Sequence, residues 1–236
     1  SDGSQRPLDF QRLQILVTEA CQDLTDVSAE AILEEALKNL YDGVDAKEVN
    51  SSLVMTARTM VEQDPNYSYV TARLLLDTMR SETLGYFGLA DSATQADMQT
   101  LYPQVFTRYI KKGIELELLS ADLASFDLQQ LAAALDSTRD LQFSYLGLQT
   151  LYDRYFIHNN DVRIELPQVF FMRVAMGLAQ REDDKNARAI EFYQLLSSFD
   201  YMSSTPTLFN AGTLRPQLSS CYLTTVPDDL DGIYNA

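Results

Sequence analysis

Residues 69–85 read Tyr-Val-Thr-Ala-Arg-Leu-Leu-Leu-Asp-Thr-Met-Arg-Ser-Glu-Thr-Leu-Gly. Tyr69, Ala72, Leu76 and Met79 recur at steps of three and four, the spacing that lines one face of an α-helix. Working outward, Asp64-Pro65 stops the preceding helix, because proline disfavours helical backbone at the residue before it. That earlier helix carries Val49, Leu53, Ala57, Met60 and Val61, and Asp45 with Glu48 resembles a capping box at its start. Further back, Leu33, Leu37, Leu40 and Tyr41 form a stripe that Gly43 ends. Phe10, Leu13, Val17, Ala20 and Leu24 form another, with Asp26 and Ser28 as turn and cap residues between the two. Four such helices with short connections bury one shared core as a bundle.

Residues 86–100 lose this periodicity, and Ala90-Asp-Ser-Ala-Thr-Gln reads as a linker. Helical spacing returns at Leu101, Val105, Tyr109 and Leu116, then at Leu128, Leu131 and Leu135, then at Phe143, Leu146 and Tyr152. Residues 155–166 alternate around Asn159-Asn-Asp, which predicts a hairpin. Pro167 suits the first turn of a helix whose face is Phe171, Val174, Ala175 and Leu178. Arg181-Glu-Asp-Asp reads as a loop, and Ala189, Phe192, Tyr193 and Leu196 mark the next helix. After Asp200 the sequence is small, polar and turn-forming from Met202 to Thr213, which predicts a long functional loop. Leu218 to Val226 reads as a strand, and Pro227-Asp-Asp-Leu-Asp-Gly-Ile opens toward a further helix.

Composition bounds the function. With 236 residues, 46% apolar and 22% charged, the chain is globular rather than disordered. No stretch of 18 apolar residues spans a membrane, and no N-terminal apolar run resembles a signal peptide. A net charge of −16 argues against a nucleic-acid surface and fits a cytoplasmic protein or one with a basic partner. Cys21, Cys221 and His158 are scattered, so neither a disulfide scaffold nor a structural zinc site is expected. Cys21 lies on the apolar face of the first helix and reads as a small core residue.

Periodicity does not reach a reaction, but two motifs do. Ser204-Thr-Pro-Thr-Leu-Phe-Asn-Ala-Gly-Thr, followed by Pro216-Gln-Leu-Ser-Ser-Cys-Tyr-Leu, resembles the signature of the large, catalytic subunits of class I ribonucleotide reductases. Glu165-Leu-Pro-Gln-Val-Phe-Phe-Met-Arg-Val-Ala-Met resembles the same family upstream, in matching order. The resemblance implies reduction of ribonucleoside diphosphates to deoxyribonucleotides by thiol and radical chemistry. Cys221 matches the first member of the redox pair, which oxidises to a disulfide as the ribose loses its 2′-hydroxyl. Thr205, Ser220 and the backbone beside Cys221 match positions that contact substrate phosphates and ribose, chemistry that hydroxyls and backbone N–H groups supply without lysine. Read locally, Thr205 and Ser220 are turn caps. Asp228 matches an acidic residue on the sugar of the specificity-site effector, and read locally it caps the next helix with Asp229. The partner cysteine and the radical-bearing cysteine lie outside this sequence, so the chain alone is expected to be inactive. The family draws its radical from a small partner subunit and associates with copies of itself.

Residues 1–90 resemble the ATP-cone domain, in which ATP and dATP set overall activity. Asp2-Gly3-Ser4, Arg12, the Gly43–Val49 turn and Ala72-Arg73-Leu74 carry that likeness. The departures fall where the nucleotide sits. The basic pair before Asp-Gly is Ser1 or missing, a Thr and a His are Ala46 and Asn50, and lysines after Arg80 are Ser81 and Glu82. Triphosphate binding leans on Arg and Lys contacts, so these losses predict a cone that keeps its fold without its nucleotide. A chain from which an outer cone has been removed suits the start at Ser1, and a truncated working cone is the competing reading. The expected architecture is mainly α. A cone-like four-helix bundle with a small β element spans 1–90, a helical domain spans 91–200, and the substrate loop and first strand of an α/β barrel span 201–236. The alternative for the whole is a non-catalytic helical module for oligomerisation or regulatory binding. The redox reading requires Cys221 to be accessible in the folded chain, and a core role would bury it.

Overall fold

The computed structural model describes residues 7–235, apart from the side chains of Ala46, Lys47 and Asn235. The expected β element at the start of the cone and Asp2–Ser4 lie outside the described residues. The first four helices are α1 (Phe10–Cys21), α2 (Ala29–Lys38), α3 (Ala46–Thr59) and α4 (Tyr67–Tyr86). Local chemistry sets their ends. The Asp9 carboxylate accepts from Arg12 N at 2.9 Å, and Ser28 Oγ accepts from Ala31 N at 3.1 Å, each satisfying an orphan donor of a first turn. Gly43 sits at φ +88°, a left-handed conformation that suits glycine, between α2 and α3. A 3-10 turn, Met60–Glu62, extends α3 up to Asp64-Pro65.

The longest helix, α4, runs 20 residues, about 30 Å at 1.5 Å per residue. Its sequence periodicity marks one face, yet Val70, Thr71, Ala72, Leu74, Leu75, Leu76, Asp77, Met79 and Arg80 are all buried. The helix is covered from several sides because it packs on α1 and α3 and also on a later helix, α7 (Tyr145–Arg154). Tyr69, expected on the core face, is 36% exposed. The core instead takes Tyr67, whose hydroxyl accepts from Ser28 N at 3.0 Å and ties α4 to the cap of α2.

Beyond α4 come α5 (Met98–Glu115), α6 (Leu128–Ala133) and α7. In α7 the buried residues are Leu148 and Leu151, and Leu146 points outward at 75% exposure. The hairpin forms as expected but is short. β1 (His158–Asn159) pairs antiparallel with β2 (Val162–Arg163) around Asn160-Asp161, which adopt φ +49° and +66°. Two central residues at positive φ make the turn whose twist matches paired strands, and Asn and Asp tolerate that backbone well.

Helix α8 (Pro167–Ala179) is buried along most of its length, with Leu178, expected on its apolar face, 36% exposed, and it packs against α9 (Lys185–Ser197), α5 and α10 (Thr205–Asn210). Two sequence expectations are corrected here. Residues 202–213 are not loop throughout, because Thr205-Pro206 opens α10, proline being compatible with a first helical turn. Residues 218–226 form no strand. They carry no regular secondary structure and are largely exposed, and among the described residues no strand lies beside them to complete a ladder. A last helix, α11, spans Leu230–Asn235. No described helix is long and apolar enough to cross a membrane.

The contact between α8 and the turn after α10 is backbone to backbone. A Cβ added to Gly177 would sit 2.2 Å from Gly212 N and 2.6 Å from the Ala211 carbonyl carbon. Neither backbone atom can swing aside as a side-chain end can. Gly177→Ala is expected to destabilise the fold by about 2–3 kcal/mol, at the upper end for overpacking. Urea unfolding checks this, and an unchanged midpoint overturns it.

Candidate functional site

The residues singled out in the Ser204–Leu223 motif converge on α10 and the segment after it. Thr205 is the first residue of α10, behind Ser204 as N-cap, and its side chain is exposed. Two hydrogen bonds hold the following segment alongside the helix. Thr207 Oγ1 donates to the Leu218 carbonyl at 3.2 Å, and Asn210 Nδ2 donates to the Gln217 carbonyl at 2.8 Å. Ser220 and Cys221 therefore follow directly on a stretch anchored to the same helix as Thr205. Both are exposed, with Ser220 Oγ 3.6 Å from Cys221 Sγ. Asp228 lies on the exposed run before α11. The capping bond there is made by Asp229, whose carboxylate accepts from Gly232 N at 2.7 Å, so Asp229 fills the capping role and Asp228 is not needed for it.

What holds α10 is a group that sequence reasoning passed over. Arg173, in the middle of α8, is completely buried. Its Nε donates to Glu165 Oε1 at 2.6 Å, a charge-assisted bond. Its Nη1 donates to the carbonyls of Ala211 at 2.7 Å and Leu208 at 3.2 Å, and Nη2 reaches the same Leu208 carbonyl at 3.2 Å. One guanidinium thus satisfies carbonyls left open at the C-terminal end of α10. Glu165 is equally buried and also accepts from Tyr109 Oη of α5 and from Ile157 N at 2.8 Å. Burial alone would weaken the charge on Arg173, but the Glu165 carboxylate outweighs it and raises the guanidinium's pKa. The two residues sit eight apart within the Glu165–Met176 motif, a spacing that carries no local meaning.

The cone positions Arg12, Asn50, Ser81 and Glu82 have the following surroundings. Arg12, half-exposed on α1, lies 3.6 Å from the Asp77 carboxylate of α4. Burial pushes the Asp77 carboxyl above the usual range, and the nearby Arg12 and Arg80 draw it back only in part. Glu82 is engaged on both oxygens: Oε2 accepts from Tyr152 Oη at 2.6 Å and Oε1 from Arg163 N at 2.7 Å. Ser81 on the same turn carries a buried hydroxyl without a hydrogen bond, and Asn50 is half-buried on α3. The side chain of Ala46 lies outside the described residues. Arg80 faces inward to the carboxylate of Asp140 at 3.3 Å, which also accepts from Tyr102 at 2.7 Å and Gln168 at 2.8 Å.

Comparison with known families matches residues 1–82 to the ATP cone domain and residues 141–216 to the ribonucleotide reductase all-alpha domain. Across 99% of its length the chain is 45% identical to the ribonucleoside-diphosphate reductase subunit alpha of Chlamydia muridarum. The chain belongs to the ribonucleotide reductase large-subunit family. The Helicobacter pylori subunit alpha is 36% identical over the whole chain, and the Danio rerio large subunit 33% identical over 99% of it. The chain spans 22% of the length of the chlamydial relative, 28% of the Helicobacter one and 29% of the Danio one. The all-alpha domain match thus contains the whole Glu165–Arg173 pair and the α10 helix it holds.

Two outcomes follow. Arg173→Met strands the buried Glu165 charge and is expected to cost about 3–5 kcal/mol. Arg173→Met combined with Glu165→Met should cost less than that single change, which chemical denaturation of both variants checks. The two thiols should separate kinetically. Cys221 is exposed, whereas Cys21 is half-buried and burial pushes its thiol up to about 11. At pH 8 an aromatic disulfide reagent should titrate one thiol rapidly and the second only on unfolding, with Cys221→Ser removing the fast phase.

Proposed function

We propose that this chain is the cone and substrate-loop region of the large subunit of a ribonucleoside-diphosphate reductase, a cytoplasmic enzyme that makes deoxyribonucleotides for DNA synthesis. The observation that carries the reading is the exposed triplet Thr205, Ser220 and Cys221, presented from α10 and the segment tied to it, on a helix anchored by the buried Arg173. Thr205 and Ser220 supply uncharged donors to the substrate's phosphates and ribose, and Cys221 supplies one thiol of the redox pair. Asp228 takes the sugar of a deoxynucleoside triphosphate effector. The radical comes from a small partner subunit, and the large subunit assembles with its own copies. Domain bounds of 1–90, 91–200 and 201–236 fit these roles.

The cone is proposed to be degenerate. Arg12, its retained cation, faces Asp77, and Glu82 stands where the family carries a lysine and is already bonded to Tyr152 and the hairpin backbone. A triphosphate arriving there would meet carboxylates and few open cations.

Two experiments test the proposal. The full-length large subunit, supplied with its small subunit and a ribonucleoside diphosphate, should lose turnover to background on Cys221→Ser, and retained turnover overturns the redox assignment. For the cone, ATP and dATP titrated into this chain by calorimetry should give no binding heat up to about 1 mM, and a Kd of about 1–10 µM would overturn degeneracy.

A further inference from the structure

The hydroxyl of Thr205 already has a partner within the chain. Tyr155, which ends α7, places its phenolic oxygen 3.2 Å from Thr205 Oγ1. Its ring lies flat on Phe209, with centroids 4.4 Å apart and planes 15° from parallel. Thr205 and Phe209 are four residues apart on α10 and so share one helix face. Tyr155 therefore lies along that face, stacked at one end and hydrogen-bonded at the other. Arg173 grips the opposite, C-terminal end of the helix through the carbonyls of Leu208 and Ala211. Between them the two groups set the position of α10 and the rotation that aims Thr205.

We propose that Tyr155 is a positioning residue for substrate binding, acting through Thr205; this rests on the reading of Thr205 as a substrate contact. A phenol is a stronger hydrogen-bond donor than an aliphatic alcohol, so Tyr155 donates and Thr205 Oγ1 accepts. With one lone pair of Thr205 taken, its single proton is directed away from Tyr155 and toward an incoming oxyanion. A phosphate oxygen accepts hydrogen bonds and offers none, so a hydroxyl fixed as a donor binds it better than one free to rotate. Tyr155 thereby contributes to affinity without touching the substrate, and its ring on Phe209 keeps it in place before substrate arrives.

The test uses the full-length large subunit with its small subunit and a ribonucleoside diphosphate. Tyr155→Phe keeps the stack and removes only the hydroxyl. It should raise KM about three- to tenfold, the range of one hydrogen bond, with kcat within about twofold, since a contact shared by ground and transition states moves KM alone. Thr205→Val should raise KM at least as much, Thr205→Ser should preserve it, and Tyr155→Phe with Thr205→Val should add little beyond Thr205→Val. If Thr205→Val raises KM and Tyr155→Phe does not, the positioning role is overturned and the substrate role of Thr205 stands. If neither raises KM, the reading of Thr205 itself fails. A lowered melting temperature in Tyr155→Phe with KM unchanged assigns the contact to stability alone and also overturns the proposal. Should Tyr155→Phe not fold, the non-additivity is read instead from Tyr155→Trp, which keeps a stacking ring and lacks the phenol.

Discussion

A guanidinium sealed from water decides the shape of the presented site. Arg173 has no solvent to carry its charge, so each of its donors must be met by the chain. Glu165 meets the charge, and the carbonyls ending α10 meet the remaining N–H groups. Both partners are as necessary to Arg173 as it is to them. A free guanidinium in that position costs more than a hydrogen bond returns, so α10 is drawn to it rather than lying loosely on α8. The glycine contact between Gly177 and Gly212 works in the same direction, because it lets two backbones approach where any side chain would hold them apart.

Helix α4 performs the corresponding role between the two matched domains. It belongs to the cone by sequence, yet its buried surface is shared with α7 and the hairpin. Glu82 illustrates the exchange. As a lysine it would offer a cation to a nucleotide, whereas as glutamate it accepts from Tyr152 and from the backbone of Arg163, binding the end of α4 to elements of the following domain. Arg12 and Asp77 do the same between α1 and α4. Among the described residues, Glu82 and Arg12 are thus turned to internal partners.

Much of the fold was legible because helix ends are written locally. Asp9, Ser28 and Gly43 act through bonds and dihedrals of their own neighbourhood, and the Asn160-Asp161 turn needs only a backbone that tolerates positive φ. Faces were less secure. Leu146 and Tyr69 fit the helical period yet point outward, because burial depends on which neighbour arrives and not on spacing alone. Residues 205–210 looked like loop since their small and polar side chains lack an apolar stripe, and α10 is sustained by Arg173 rather than by propensity. Residues 218–226 show the opposite error. Their β-forming side chains make no strand among the described residues, since a ladder needs a second backbone beside it.

By itself the sequence determined the helical character, most of the element order and, through two motifs, the family. The elements follow from residue type and from patterns closed within a few positions, and the family from the resemblance of longer stretches. The tertiary structure alone decided that Arg173 holds α10, that Tyr155 lies against Thr205, and that Glu82 and Arg12 face internal partners. Each of those pairings joins residues distant in the chain or at spacings without local meaning. Their geometry is set by the packing of whole helices around buried charge, which no local pattern encodes.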